Sequence, residues 1–271
     1  MKKIAVLIKT HEREKAFFTC IRSVQRHFSN HLIPFRFYIG DDSKVISRKK
    51  ERLYKRLLNK GHFIQRYSKT IAVTAARNSL LDQLQGESYI LRIDDDFELT
   101  KETNVPKMMK IIEYDNNIGA VTGLERQIGD GKGIVSGELN EWIGFLNVKS
   151  GVLQKKIVPV QNFNFLKTDD GINYAKCDLT RNFILLRREV FQDIKWEEKL
   201  TFQGEHVDFL LQLKYSKWDV VFTTETIHSH REDFKFKNDQ TYRKKKKEKK
   251  KTKMFREVFQ EKWGIRKIRK I

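Results

Sequence analysis

Three adjacent carboxylates, Asp94-Asp95-Asp96, follow directly on the apolar run Tyr89-Ile90-Leu91-Arg92-Ile93. Carboxylates crowded at the end of a strand repel one another, and a bound cation relieves that repulsion. The spacing Asp94-x-Asp96 suits a hard divalent ion shared with a diphosphate, because Mg²⁺ and Mn²⁺ take oxygen ligands and leave positions open for phosphate. Asp96 is the first choice for the ligand. Asp94 either faces a ribose or supports the metal through water, and Asp95 is a structural partner within the same set. An acidic turn or a helix N-cap would also explain a lone triplet, so the elements around it decide its meaning.

Those elements alternate. Short apolar runs at residues 4–8, 35–39, 62–67, 88–93 and 118–124 read as buried strands, and amphipathic stretches at 14–28, 45–58, 72–84 and 105–114 read as helices between them. This order predicts an α/β fold with a mixed, mainly parallel sheet flanked by helices, and in such sheets ligands bind at the carboxyl ends of the strands. Further on, 152–160, 182–186 and 218–223 read as strands and 207–215 as a helix, whereas the Gly-rich, irregular stretch 125–171 holds several hairpin candidates and no readable motif.

The 271 residues carry 33% charged and 39% hydrophobic side chains, which excludes both a disordered chain and an integral membrane protein. Cys20 and Cys177 are too few for a disulfide framework or a zinc cluster and favour a reducing setting. The basic start MKKIAVLIKT has too short an apolar run for a signal peptide, and no segment reaches the length of a membrane span. The net charge is +20, of which residues 231–271 supply +12, with 18 basic and 6 acidic side chains. The excess predicts an anionic partner, and most of it sits in a tail.

Three further motifs keep company with the acidic triplet: Lys9-Thr10-His11-Glu12-Arg13, Gly40-Asp41-Asp42-Ser43 and Ala76-Arg77-Asn78. In this order they resemble the GT-A glycosyltransferases, in particular inverting family 2. Thr180-Arg181-Asn182, Gly204-Glu205-His206-Val207-Asp208 and Ile227-His228-Ser229-His230 resemble more closely the ganglioside N-acetylgalactosaminyltransferases and their bacterial relatives. The resemblance implies a Rossmann-like catalytic domain over residues 1–231, with Thr10, Arg13, Asp41, Asp42, Arg77, Asn78, Asp94 and Asp95 binding the nucleotide. Asp41 and Asp42 would accept from uracil N3–H and ribose hydroxyls, and Arg77 would pair with phosphate or a carboxylate while Asn78 orients it. A histidine, His230 with His228 as competitor, would join Asp96 and Asp94 at the metal, and an imidazole among oxygens favours Mn²⁺ over Mg²⁺.

Inverting transfer needs a base for the acceptor hydroxyl. His206 stands where family 2 places an aspartate, so the leading base is Asp208, His206 is second, and Glu205 is a candidate for holding a sugar hydroxyl. In residues 232–271 eight of the nine positions 243–251 are basic, and Phe255, Phe259 and Trp263 follow among Lys and Arg. That pattern predicts a basic amphipathic helical tail that meets an anionic membrane or polymer and contributes location rather than chemistry.

The expectation is therefore a cytoplasmic enzyme, peripheral at the inner face of the membrane. It would use Mn²⁺ or Mg²⁺ to move a sugar, most readily N-acetylhexosamine, from a UDP-sugar to a glycan or lipid-linked saccharide in surface polysaccharide assembly. Two alternatives are a sugar-phosphate nucleotidyltransferase, which lacks the expected Gly-rich phosphate loop, and a basic nucleic-acid-binding protein, which leaves the acidic triplet unexplained. Nucleic acid is not an expected partner.

Overall fold

A computed structural model of the chain describes residues 2–129, 137–201, 203–231 and 249–270. The first half alternates as β1 (Ile4–Thr10), α1 (Glu14–Asn30), β2 (Phe35–Asp41), α2 (Arg48–Asn59), β3 (Phe63–Arg66), α3 (Val73–Leu81), β4 (Tyr89–Asp94), β5 (Phe97–Glu98), α4 (Val105–Tyr114) and β6 (Ile118–Ile128). The second half runs β7 (Leu139–Asn140), β8 (Gly144–Lys149), β9 (Val152–Ile157), β10 (Leu166–Lys167), β11 (Asn173–Lys176), β12 (Ile184–Arg187), α5 (Val190–Asp193), α6 (Glu205–Lys214), β13 (Asp219–Arg231), α7 (Lys249–Trp263) and β14 (Lys267–Lys270).

The main sheet is ordered β10-β11-β13-β6-β12-β4-β1-β2-β3. Strands β3, β2, β1 and β4 are mutually parallel, β6 and β13 are parallel to each other, and β12 enters antiparallel between β4 and β6. Both faces are covered, which is why the strands read as unbroken apolar runs. Along β1, Ile4, Val6 and Ile8 pack with α1, α2 and α4, whereas Ala5 and Leu7 point to the core shared by α3, α6 and α7.

Three departures from the sequence reading matter for the site. Helix α6 starts at Glu205, two residues earlier than its apolar stripe, because Gly204 adopts φ +81° and closes the preceding loop. Strand β13 runs to Arg231, well past the apolar run at 218–223, so His228 and His230 lie on it and not after it. Of the hairpin candidates in 125–171 the structure forms β8–β9, and the departure is that its second strand pairs in parallel with β14.

That last pairing corrects the expected separate tail. Val258, Phe259 and Ile265 are buried in the core beside α6, and Phe255, Trp263 and Ile268 pack against it. The aromatic residues expected to reach a membrane are committed inward, since burying a large apolar side chain contributes roughly 1.5–3 kcal/mol. The expected boundary at residue 231 and the basic run at 243–248 border or fall within 232–248, outside the described residues. Among the described residues no helix is long and apolar enough to cross a membrane.

Candidate active site

The carboxyl ends of β1, β2 and β4 lie side by side, with Thr10 paired to Asp41 and Lys9 to Asp94 in register. Asp94, the last residue of β4, accepts from Arg77 at 3.0 Å and from Asn182 at 2.7 Å. Arg92 donates to the side-chain oxygen Oδ1 of Asn182 at 2.7 Å and lies 4.0 Å from Asp94. Burial alone would raise the Asp94 carboxyl, but Arg92, Arg77 and Asn182 hold it down at about 2. Asp94 keeps 27% of its side-chain surface exposed, so it remains reachable.

Asp95 is fully buried beneath the site. Thr10 donates to it at 2.6 Å, and the Arg13 guanidinium bridges Asp95 and Asp96. Burial raises the Asp95 carboxyl to about 6. Thr10 and Asp95 are thus a buried support, whereas Arg13 and Asp96 reach the opening.

The long β13 brings the histidines to the triplet: the Arg231 amide donates to the Asp96 carbonyl at 2.8 Å, and His230 pairs with Phe97. His230 Nε2 lies 3.5 Å from Asp96 Oδ2, and its Nδ1 lies 3.5 Å from Glu125 Oε2. Burial disfavours a charged His230, but Asp96 and Glu125 outweigh it and raise the imidazole to about 10. His230 is 24% exposed; His228 is wholly buried, stacked on Phe183 with centroids 4.5 Å apart, and cannot compete as a ligand. Burial would raise Glu125, yet His228 and His230 hold it well below the usual carboxylate range.

A carboxylate oxygen and an imidazole nitrogen 3.5 Å apart fit two positions around a divalent ion. Among the described residues no three His, Cys, Asp or Glu side chains converge on a metal position.

Several expected nucleotide contacts are occupied within the protein. Asp41 is fully buried and accepts from Tyr54 at 2.7 Å and Arg66 at 3.1 Å, with Lys50 at 3.0 Å. Asp42, also buried, is held by Lys9, by His11 at 2.9 Å and by the Ile71 amide at 3.0 Å. These contacts fix the β2 turn, so the structure departs from the expectation that both carboxylates are open to uracil. Asn78 donates to the Trp196 carbonyl and to Glu198, both at 2.9 Å. It acts on Arg77 only indirectly, by placing the Trp196 ring 5.5 Å from that guanidinium.

The base candidates separate clearly. Asp208 has no exposed surface. Its carboxylate accepts from Trp263 at 2.8 Å, Lys262 at 3.0 Å and Gln212 at 2.8 Å, so it faces the seam between α6 and α7 and not the acceptor side. That overturns the expectation of Asp208 as leading base. The i, i+3 spacing with Glu205 is real, but α7 covers the Asp208 position. His206 Nε2 meets the Thr180 carbonyl, and its Nδ1 is buried without a hydrogen-bond partner. Burial, then Arg92, lowers its pKa to about 3, so the ring is neutral and Nδ1 is a bare acceptor. Glu205 opens α6 beside Arg92.

Four residues at this site were not singled out from the sequence. Asn182 lies within the Thr-Arg-Asn segment, whose sequence alone assigns it no role. Arg92 carries a signal, a charge inside an apolar strand. Trp196 and Glu125 carry none, because their importance arises only from strands and loops far apart in the chain.

Acidic side chains at the ends of a mainly parallel sheet, an arginine over them and a histidine delivered by a late strand are an arrangement of the GT-A class of fold. Residues 5–195 match the model of glycosyl transferase family 2, and the chain belongs to that family. The fold is similar to that of GalNAc-T7 with UDP, GalNAc and Mn²⁺, with TM-score 0.62 and 13% identity over 85% of this chain and 44% of that one. It is similar also to S. aureus TarS 1-349 in complex with UDP-GlcNAc, with TM-score 0.57 and 14% identity over 86% of this chain and 59% of that one. The chain thus spans less than two thirds of these relatives. No curated protein sequence matches it.

Proposed function

We propose that the chain is a metal-dependent inverting glycosyltransferase that moves N-acetylhexosamine from its UDP-sugar to a glycan or lipid-linked saccharide in surface polysaccharide assembly. The observation that carries this reading is the pair Asp96 and His230, set 3.5 Å apart beside the Arg77-held Asp94. Asp96 and His230 would hold Mn²⁺ or Mg²⁺, with Asp94 beside them, and the ion when bound supplies charge compensation for the departing diphosphate. Arg77 and Arg13 add fixed positive charge on the same side.

His206 is the base in this reading. Its Nε2–H donates to the Thr180 carbonyl and orients the ring, and in this reading acceptor binding uncovers Nδ1, which is buried and without a hydrogen-bond partner, so that it takes the hydroxyl proton. The acceptor oxygen forms its bond to the sugar anomeric carbon as the bond to the diphosphate breaks, and UDP leaves with that electron pair. Glu205 accepts hydrogen bonds from sugar hydroxyls at the helix start.

The acceptor polymer or an anionic membrane at the inner face of the cell would meet the exposed basic residues Lys253, Arg256, Arg266, Lys267, Arg269 and Lys270. With Phe259 buried, this contact is electrostatic and not inserted. The test is hydrolysis of UDP-, GDP- and CMP-sugars with and without Mn²⁺. Mn²⁺-dependent release from UDP-N-acetylhexosamine alone is the expected result. Turnover that ignores EDTA, or that prefers another nucleotide, rejects the reading.

A further inference from the structure

We propose that Glu125 is a positioning residue for the metal site, holding the outer ring nitrogen of His230 so that Nε2 is presented on the Asp96 side. This rests on the reading of Asp96 and His230 as metal ligands.

Glu125 lies on β6, directly beside β13, where it is in register with His228. Only 2% of it is exposed. One carboxylate oxygen, Oε2, lies 3.5 Å from both His230 Nδ1 and His228 Nε2. The other, Oε1, accepts from Asn140 at 3.1 Å and faces Arg181 at 3.7 Å. The carboxylate is therefore fixed from both ends before any ligand arrives.

The two nitrogens of His230 consequently face two different acidic groups, Asp96 at Nε2 and Glu125 at Nδ1. An imidazole that binds a metal through one nitrogen gains from a carboxylate on the other, which fixes the tautomer, aims the ring and increases its basicity. Phe97 stands edge-on to the His230 ring, centroids 5.2 Å apart, and limits its rotation about that axis. His228 fills the space behind Glu125, between Phe97 and Phe183, with centroid distances of 4.6 and 4.5 Å. Two β-strands, one aromatic brace and one buried carboxylate thus converge on the ring orientation of a single, partly buried histidine.

The test compares the full-length protein with Glu125→Gln, which keeps the side-chain shape and removes its charge. Mn²⁺ binding in the presence of UDP is measured by the paramagnetic resonance of free Mn²⁺, and UDP binding in EDTA is measured by calorimetry. The expected result is Mn²⁺ affinity weakened by about 10 to 100-fold, with UDP affinity in EDTA within about twofold of the parent. Glu125→Asp should restore part of the Mn²⁺ affinity; should the Gln variant fail to fold, the Asp variant carries the comparison by an intermediate loss. Unchanged Mn²⁺ affinity in a folded variant overturns the proposal, and so does an equal loss of metal-free UDP binding, which would mean a general collapse of the site. A parent protein that binds no Mn²⁺ with UDP instead overturns the metal reading on which the inference stands.

Discussion

At Asp96 the exchange of one carboxylate oxygen for an amide nitrogen would remove the proposed metal ligand while keeping the side chain's shape. Asp96→Asn should abolish Mn²⁺-dependent binding of UDP-sugar and leave the thermal transition close to that of the parent, since the change lies at the opening. Unaltered Mn²⁺ affinity and turnover in the folded variant would reject the site. The next comparison separates chemistry from architecture. His206→Ala should lower kcat by roughly 10²- to 10⁴-fold with donor binding nearly unchanged. Asp208→Asn, by contrast, weakens charge-assisted hydrogen bonds to Trp263 and Lys262, each worth about 1.5–3 kcal/mol. It should lower the Tm by roughly 5–10 °C. The reverse pattern, a stable Asp208→Asn protein without turnover, would return the base to Asp208.

Between elements, the decisive contact is α7 against the start of α6. A Cβ on Gly204 would come within 2.2 Å of a Phe255 ring carbon, and Phe259 is 1% exposed. Phe259→Ala should therefore destabilise by about 3–5 kcal/mol. Truncation before residue 249 should lower the Tm and remove UDP-sugar hydrolysis together; a truncated protein that melts and hydrolyses like the parent would show that α7 merely rests on the domain. The first half of the fold was legible because β1, β2 and β4 are buried on both faces and the helices between them keep a 3.6-residue stripe. Asp94 and Asp96 were legible because they sit at a strand end. Asp208 was misplaced because its spacing from Glu205 describes α6 alone, while its partners Trp263 and Lys262 lie more than fifty residues away. Phe255, Phe259 and Trp263 misled for a related reason: an amphipathic basic stripe fits a membrane or a protein groove equally well, and only the tertiary partner decides.

For the whole molecule, buried His27 and half-buried His62 contribute to the acid limit of stability. Burial, then His31, lowers His27 to about 4, and burial, then Arg36, lowers His62 to about 4. Both folded values lie below the unfolded value of about 6.5. The unfolded chain therefore binds more protons in between, so this contribution is present above pH 6.5 and is lost as pH falls toward 4. The Phe37 amide donates to His62 Nδ1 at 3.2 Å, a bond that protonation there would break. Thermal melts should show the Tm falling across that window, with a shallower fall in His27→Leu; an identical fall would assign the acid sensitivity to other groups. The exposed basic residues act over a longer range. Anionic vesicles should retain the protein at low salt and release it at high salt, and retention that survives high salt would point to apolar insertion instead. The seam between α6 and α7 also sets an order of events during synthesis. Asp208 and Trp263 are 55 residues apart, so at about 5–20 residues per second the ribosome makes the carboxylate roughly 3–11 s before the indole that caps it. Through that interval the nascent chain carries a complete acidic triplet and both histidines of β13, yet the buried charge of Asp208 has no partner from α7, so the α6–α7 seam closes only after the strands that carry those residues have been made.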